Sequence, residues 1–170
     1  MTRTLVRPDG TVYTIIRSSH ETAGAELEME WLLPARGWAP QPHVHPTLTE
    51  EYEVLEGSLD LLIGREWRLL RQGDHAAVPP GTVHTFRVGS DPARVRNVHR
   101  PARDFEPYIQ RLCRTANERS LGDLRNLRSL LYIAILVDEY PEHSRAVGRL
   151  LNAMASHLAA LARLLRLRPA

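Results

Sequence analysis

Residues 37–57 read GWAPQPHVHPTLTEEYEVLEG, and the chain is best understood outward from them. Two histidines, His43 and His45, stand one residue apart, and Glu50 follows. Side chains alternate faces along an extended strand, so His43 and His45 point to the same side. A bend at Pro46-Thr47 brings Glu50 round to join them. Counting by twos from Glu50 puts Tyr52 and Val54 on the same inward face and leaves Glu51 outside. Two imidazoles and a carboxylate converging on one point are the usual ingredients of a divalent metal site.

A second stretch, residues 73–88, reads GDHAAVPPGTVHTFRV. Its Gly and Pro residues punctuate short strands, and His84 opens one of them. Phe86 and Val88 share the face of His84. On the strand after it, Asn97 and His99 share a face with Val95, opposite Arg94 and Arg96. If that face is inward, Asn97 and His99 join Tyr52 and Phe86 as substrate contacts.

The flanks follow the same grammar. Pro8-Asp9-Gly10 is turn chemistry between Thr4–Val6 and Val12–Ile16, a hairpin. Residues 18–25 are a polar loop. Residues 26–33 alternate, with Leu27, Met29 and Trp31 on one face and Glu26, Glu28 and Glu30 on a solvated one. Strands over 50–56, 59–63, 67–70, 76–78, 84–88 and 94–99, close-set and broken by Gly and Pro, predict a sandwich or barrel. After Pro101 the period becomes helical. Helices are expected over 105–116, over 121–140 with Ser120 and Asp123 as a capping box, and over 142–167. The last carries an apolar stripe of Val147, Leu150, Leu151, Met154, Leu158, Leu161 and Leu165, with Arg163, Arg166 and Arg168 in its final turn. The expected division is a β-barrel over 1–100 and a helical extension over 101–170.

Composition excludes several classes. All 22 basic residues are Arg, dispersed among 20 acidic ones, for a net charge of +2. No basic stripe interleaved with aromatics is present, which argues against nucleic-acid binding. The lone Cys113 permits no intrachain disulfide and reads as a small buried residue. The longest apolar run, 130–137, is far short of the roughly 20 residues of a membrane span. With no apolar leader at its start, the chain is expected to be cytoplasmic. His20, His75, His143 and His157 carry no assigned role.

The two histidine stretches resemble the motifs of the cupin superfamily. Gly37, His43, His45, Glu50 and Gly57 fall at the spacing of its first motif. Gly73, Pro79, Gly81 and His84 fall at that of its second, whose final Asn is here Val88. That departure touches a polar pocket contact rather than the metal. The resemblance covers about residues 10–115. It implies a mainly β fold, a double-stranded β-helix or jelly-roll barrel, followed here by the α-helical segment. It also implies a metal bound by His43, His45, Glu50 and His84. Such a donor set suits one divalent transition metal: Fe, Mn, Ni, Co, Cu or Zn.

The loop ending Thr22-Ala23-Gly24 and the stretch from Pro101 to Leu112 resemble small bacterial quercetinase-like cupins. That likeness implies a dioxygenase acting on a small aromatic or enol-bearing molecule, with Glu50 doubling as catalytic base if it is loosely held. A metal-dependent isomerase, epimerase or cyclase is the second enzyme reading, and a non-catalytic small-molecule-binding cupin the third. The helical tail is expected to pack on the barrel or to build a homodimer.

Overall fold

The computed structural model describes residues 4–121 and 126–170, and the backbone alone of 149–151. β1 (Thr4–Val6) and β2 (Val12–Arg17) form the expected hairpin. β3 (Leu27–Leu33), β4 (His43–Val44), β5 (Thr49–Glu56), β6 (Ser58–Ile63) and β7 (Glu66–Arg71) follow. β8 (His75–Val78), β9 (His84–Arg87) and β10 (Ala93–Arg100) complete the β region. α1 (Phe105–Glu118), α2 (Leu127–Glu139), β11 (Arg145–Ala146) and α3 (Arg149–Leu164) make up the remainder.

The strands form two antiparallel sheets, ordered β1-β2-β3-β10-β5-β8 and β11-β4-β9-β6-β7. Alternation decides what each sheet offers the interior. β3 buries Leu27, Met29, Trp31 and Leu33, β5 buries Tyr52 and Val54, and β10 buries Val95, Asn97 and His99. These inward rows meet Leu59, Leu61 and Phe86 of the opposite sheet in one core. Phe105, Tyr108, Ile109 and Cys113 of α1 and Leu136 of α2 belong to the same core, which seats the helices on the barrel.

The outer face of the larger sheet is a charge ladder. Arg94 lies between Glu30 and Glu56, Arg96 between Glu28 and Glu53, and Arg100 between Glu26 and Glu51. The glutamates of β3 are thus paired rather than merely solvated, and the dispersed arginines answer to them. Exposed pairs of this kind contribute little each, but they favour one strand register over a slipped one.

Two motif glycines have structural reasons. Gly57 has φ +75, and a Cβ there would stand 2.5 Å from the Pro92 carbonyl oxygen. Gly81, also at positive φ, donates its N–H to the His45 carbonyl at 2.8 Å, tying the second motif to the first.

The helical tail departs from expectation. Ser120 does not open a helix: it lies past the end of α1 with φ +49, its N–H bonded to the Asn117 carbonyl. Asp123 lies outside the described residues. α2 is capped instead by Asn126, whose side chain accepts from the Ser129 N–H at 2.7 Å. The third helix begins at Arg149, not near 142, because residues 145–146 form a strand and Gly148 turns the chain with φ +93. Its buried face is Ala159 and Ala162 packed on Leu131, Ala134 and Ile135 of α2. Met154, Leu161 and Leu165 of the expected stripe are exposed, and the side chains of Leu150 and Leu151 lie outside the described residues. Small side chains let α2 and α3 approach closely, so alanines rather than leucines mark the interface. Arg163 sits in the last turn of α3 and pairs with Asp138 at 2.7 Å, whereas Arg166 and Arg168 follow the helix.

Candidate metal centre

The structure brings His43, His45, Glu50 and His84 together, with one ligand atom from each lying within 4.8 Å of the others. β4 supplies His43, its C-terminal margin supplies His45, β5 supplies Glu50 and β9 supplies His84. The bend through Pro46-Thr47 carries the chain from the smaller sheet to the larger, so Glu50 faces the imidazoles across the barrel. Glu51 points out to Arg100.

Each imidazole has its Nδ1 committed to a backbone carbonyl. His43 Nδ1 donates to Gln41 at 2.9 Å, His84 Nδ1 donates to Thr82 at 2.9 Å, and His45 Nδ1 donates to His143. A carbonyl only accepts, so Nδ1 carries the hydrogen in all three rings and the Nε2 lone pair is left free. The Nε2 atoms of His45 and His84 stand 3.1 and 2.9 Å from Glu50 Oε2. Lone pairs facing a buried carboxylate repel unless positive charge lies among them. Burial, helped by the neighbouring His45 and His84, pushes the His43 pKa down to about 3, whereas at His84 burial is outweighed by Glu50, which raises the pKa. One ligand atom from each of the four side chains lies within 4.8 Å of the others, close enough that they could share one cation. The donor set therefore fits a divalent transition metal.

Glu50 is held from behind. Burial opposes its ionisation, but His99, His45 and His84 outweigh it and hold its carboxyl well below the ordinary carboxylate range. Asn97 Nδ2 donates to Glu50 Oε1 at 2.9 Å, and His99 Nε2 lies 3.3 Å from the same oxygen. Burial lowers the His99 pKa, and its ring stacks on Phe105 with centroids 3.9 Å apart. Tyr52 hydrogen-bonds Glu50, and burial raises its phenol well above its usual value.

A cavity of about 300 Å³ opens from this cluster. His43, His45 and Glu50 lie at one end of it, with Tyr52 and Phe86 among its walls. Asn97 and His99 do not line it; they stand behind Glu50. Tyr13, Trp31, Tyr52 and Phe86 form an aromatic wall, Trp31 meeting Tyr13 and Tyr52 edge-on at 5.4 and 5.9 Å. The far side is made by the helices, through residues such as Ile109, Leu112, Ile133, Val137 and Leu158.

One contributor had no signal in the sequence. His143 is buried, its ring lies among Phe105, Tyr108 and Tyr140, and its carbonyl receives the His45 Nδ1 hydrogen. A backbone acceptor leaves no motif. Cys113 is buried as expected, and burial raises its pKa to about 12.

Residues 29–99 match the cupin domain family. Quercetin 2,3-dioxygenase of Bacillus subtilis is 36% identical over 84 residues, covering 49% of this chain but only 25% of that enzyme. Among solved structures, the RmlC-like cupin of Shewanella frigidimarina superposes with a TM-score of 0.54 at 16% identity, over 62% of this chain and 89% of its own. KdgF of a Halomonas species does so at 0.51 and 22% identity, over 59% and 86%. These two likenesses concern the fold. Residues 29–99 therefore carry a cupin domain, on a cupin-like fold. That domain holds a His-His-Glu-His group beside an aromatic cavity.

Proposed function

We propose that the protein is a metal-dependent oxygenase acting on a small, flat, largely apolar molecule that carries a phenolic or enolic hydroxyl. The observation that carries this reading is the pairing of an aromatic cavity with three free Nε2 lone pairs and one carboxylate. The partial likeness to a quercetin dioxygenase supports it. His43, His45, Glu50 and His84 would hold the metal, which supplies Lewis acidity toward a substrate oxygen and a redox centre for dioxygen.

The other roles fall to the chain itself. Tyr13, Trp31 and Phe86 give a planar substrate its stacking faces. Ile133, Val137 and Leu158 exclude water from the cavity. Glu50 is ionised at neutral pH, and the hold of Asn97 and His99 on it favours the role of metal ligand over that of base. Asn97 and His99 act through Glu50 by fixing its orientation.

The test is oxygen uptake by metal-loaded protein offered flavonols and catechols, compared with anaerobic incubation. The reading expects substrate loss that requires oxygen. Turnover that persists without oxygen would assign an isomerase or cyclase instead, and tight binding with no turnover would assign a binding module.

A further inference from the structure

The strand that carries the first two histidines is only two residues long. β4 shares one residue pair with β9, His43 with His84. It shares two with β11: Arg145 with Val44, and Ala146 with His43. Most of the ladder that fixes this strand therefore comes from the helical extension, not the barrel. Two residues earlier in the same segment, the His143 carbonyl receives the His45 Nδ1 hydrogen. Of the three imidazoles, His43 and His84 find their carbonyls on adjacent barrel residues, Gln41 and Thr82. His45 alone among them takes its acceptor from a segment 98 positions away in sequence.

The segment is itself anchored. The His143 N–H donates to the Tyr140 carbonyl at 3.0 Å at the end of α2. Its Nε2 lies 3.2 Å from Asp104 Oδ1, at the start of α1. Ser144 and Tyr108 of α1 share a hydrogen bond, and Asn152 Nδ2 in α3 donates to the Ala146 carbonyl at 2.8 Å. All three helices thus converge on four residues that touch the metal-ligand strand.

We infer that residues 143–146 are a positioning element of the metal centre. β11 sets the register and depth of His43, and the His143 carbonyl holds His45 in the Nδ1–H tautomer with Nε2 toward the site. The inference rests on the metal reading for its affinity consequence and stands apart from it for the tautomer. An outer hydrogen-bond partner of a ligating histidine commonly accounts for roughly 10–100-fold in metal affinity.

The experiment uses the full chain with ¹⁵N-labelled histidine, first metal-free and then titrated with Zn(II) against a chromophoric chelator. In wild type, His45 should show the Nδ1–H tautomer, with that hydrogen protected from solvent exchange. The double substitution Arg145→Pro/Ala146→Pro removes both amide donors of β11. It should release His45 to a tautomer mixture and weaken Zn(II) binding by roughly 10–100-fold, while His84 keeps its tautomer on Thr82. An unchanged His45 signal and affinity in the folded variant would overturn the inference, as would equal disturbance of His45 and His84. Should the variant fail to fold, fast exchange of the wild-type His45 Nδ1 hydrogen overturns it equally. Wild type that holds the tautomer yet binds neither Zn(II) nor any of Fe(II), Mn(II), Co(II), Ni(II) and Cu(II) refutes the metal reading and leaves the positioning of His45 intact.

Discussion

The two halves of the candidate metal centre are built differently. Glu50 and His84 come from β5 and β9, whose strands pair on both sides within the barrel. They are buried, and Glu50 is braced by Asn97 and His99. His43 and His45 come from a two-residue strand and the bend beyond it, and their bracing comes from the extension. His43 is half-exposed and looks into the cavity. The difference teaches that the barrel alone places one half, whereas the placement of the other depends on the helical extension.

Four outcomes would sharpen or break that contrast. The largest effect belongs to the half placed by the barrel: His84→Ala should abolish metal retention in a folded protein, whereas His43→Ala should leave weak binding because water can reach the vacated position. Equal loss in both, read by elemental analysis after dialysis, would erase the distinction. Next comes Asn97→Ala, which removes one of the two groups at Glu50 Oε1 and should weaken metal binding about 10-fold with little change in fold. A chelator competition assay measures it, and unchanged affinity would remove Asn97 from the account.

The third outcome concerns how α1 is seated. Burial raises both Cys113 and Tyr108 to about 12, from ordinary values of 9.0 and 10.0. The folded state therefore favours their neutral forms. That contribution is fully present below pH 9 and is lost as pH rises toward 12. Denaturant midpoints should fall across that window, and Cys113 should resist iodoacetamide at pH 8 until the protein is unfolded. Ready alkylation of the native protein would contradict the packing of α1. The smallest effect is Arg96→Ala on the outer ladder, which should cost under about 1 kcal/mol and leave metal binding unchanged.

Much of the barrel was legible because its signals are local. Alternation in Glu50-Glu51-Tyr52-Glu53-Val54 separates inside from outside with no knowledge of neighbours. The same rule placed Asn97 and His99 inward, but inward is not the same as facing the cavity. Register across β10 and β5 sets them opposite Tyr52 and Glu50, behind the carboxylate rather than before it. The extension was harder to read because its determinants are tertiary. The apolar stripe read along α3 ran through Leu161 and Leu165, and only the packing of α2 marks Ala159 and Ala162 as the buried face instead. Ser120 had the look of a cap, yet Asn126 was the residue with a free helix N–H before it. A two-residue strand such as β11 has no period at all. It exists because β4 offers it a partner.

The central claim is that His43, His45, Glu50 and His84 together hold one metal ion. Its most direct test is elemental analysis of the purified chain, reconstituted in turn with Fe(II), Mn(II), Co(II), Ni(II), Cu(II) and Zn(II) and then passed through a desalting column. The account predicts close to one ion per chain for at least one of these metals, and none in a folded Glu50→Ala/His84→Ala variant. Wild-type protein that retains none of the six, or a variant that retains as much as wild type, would contradict it.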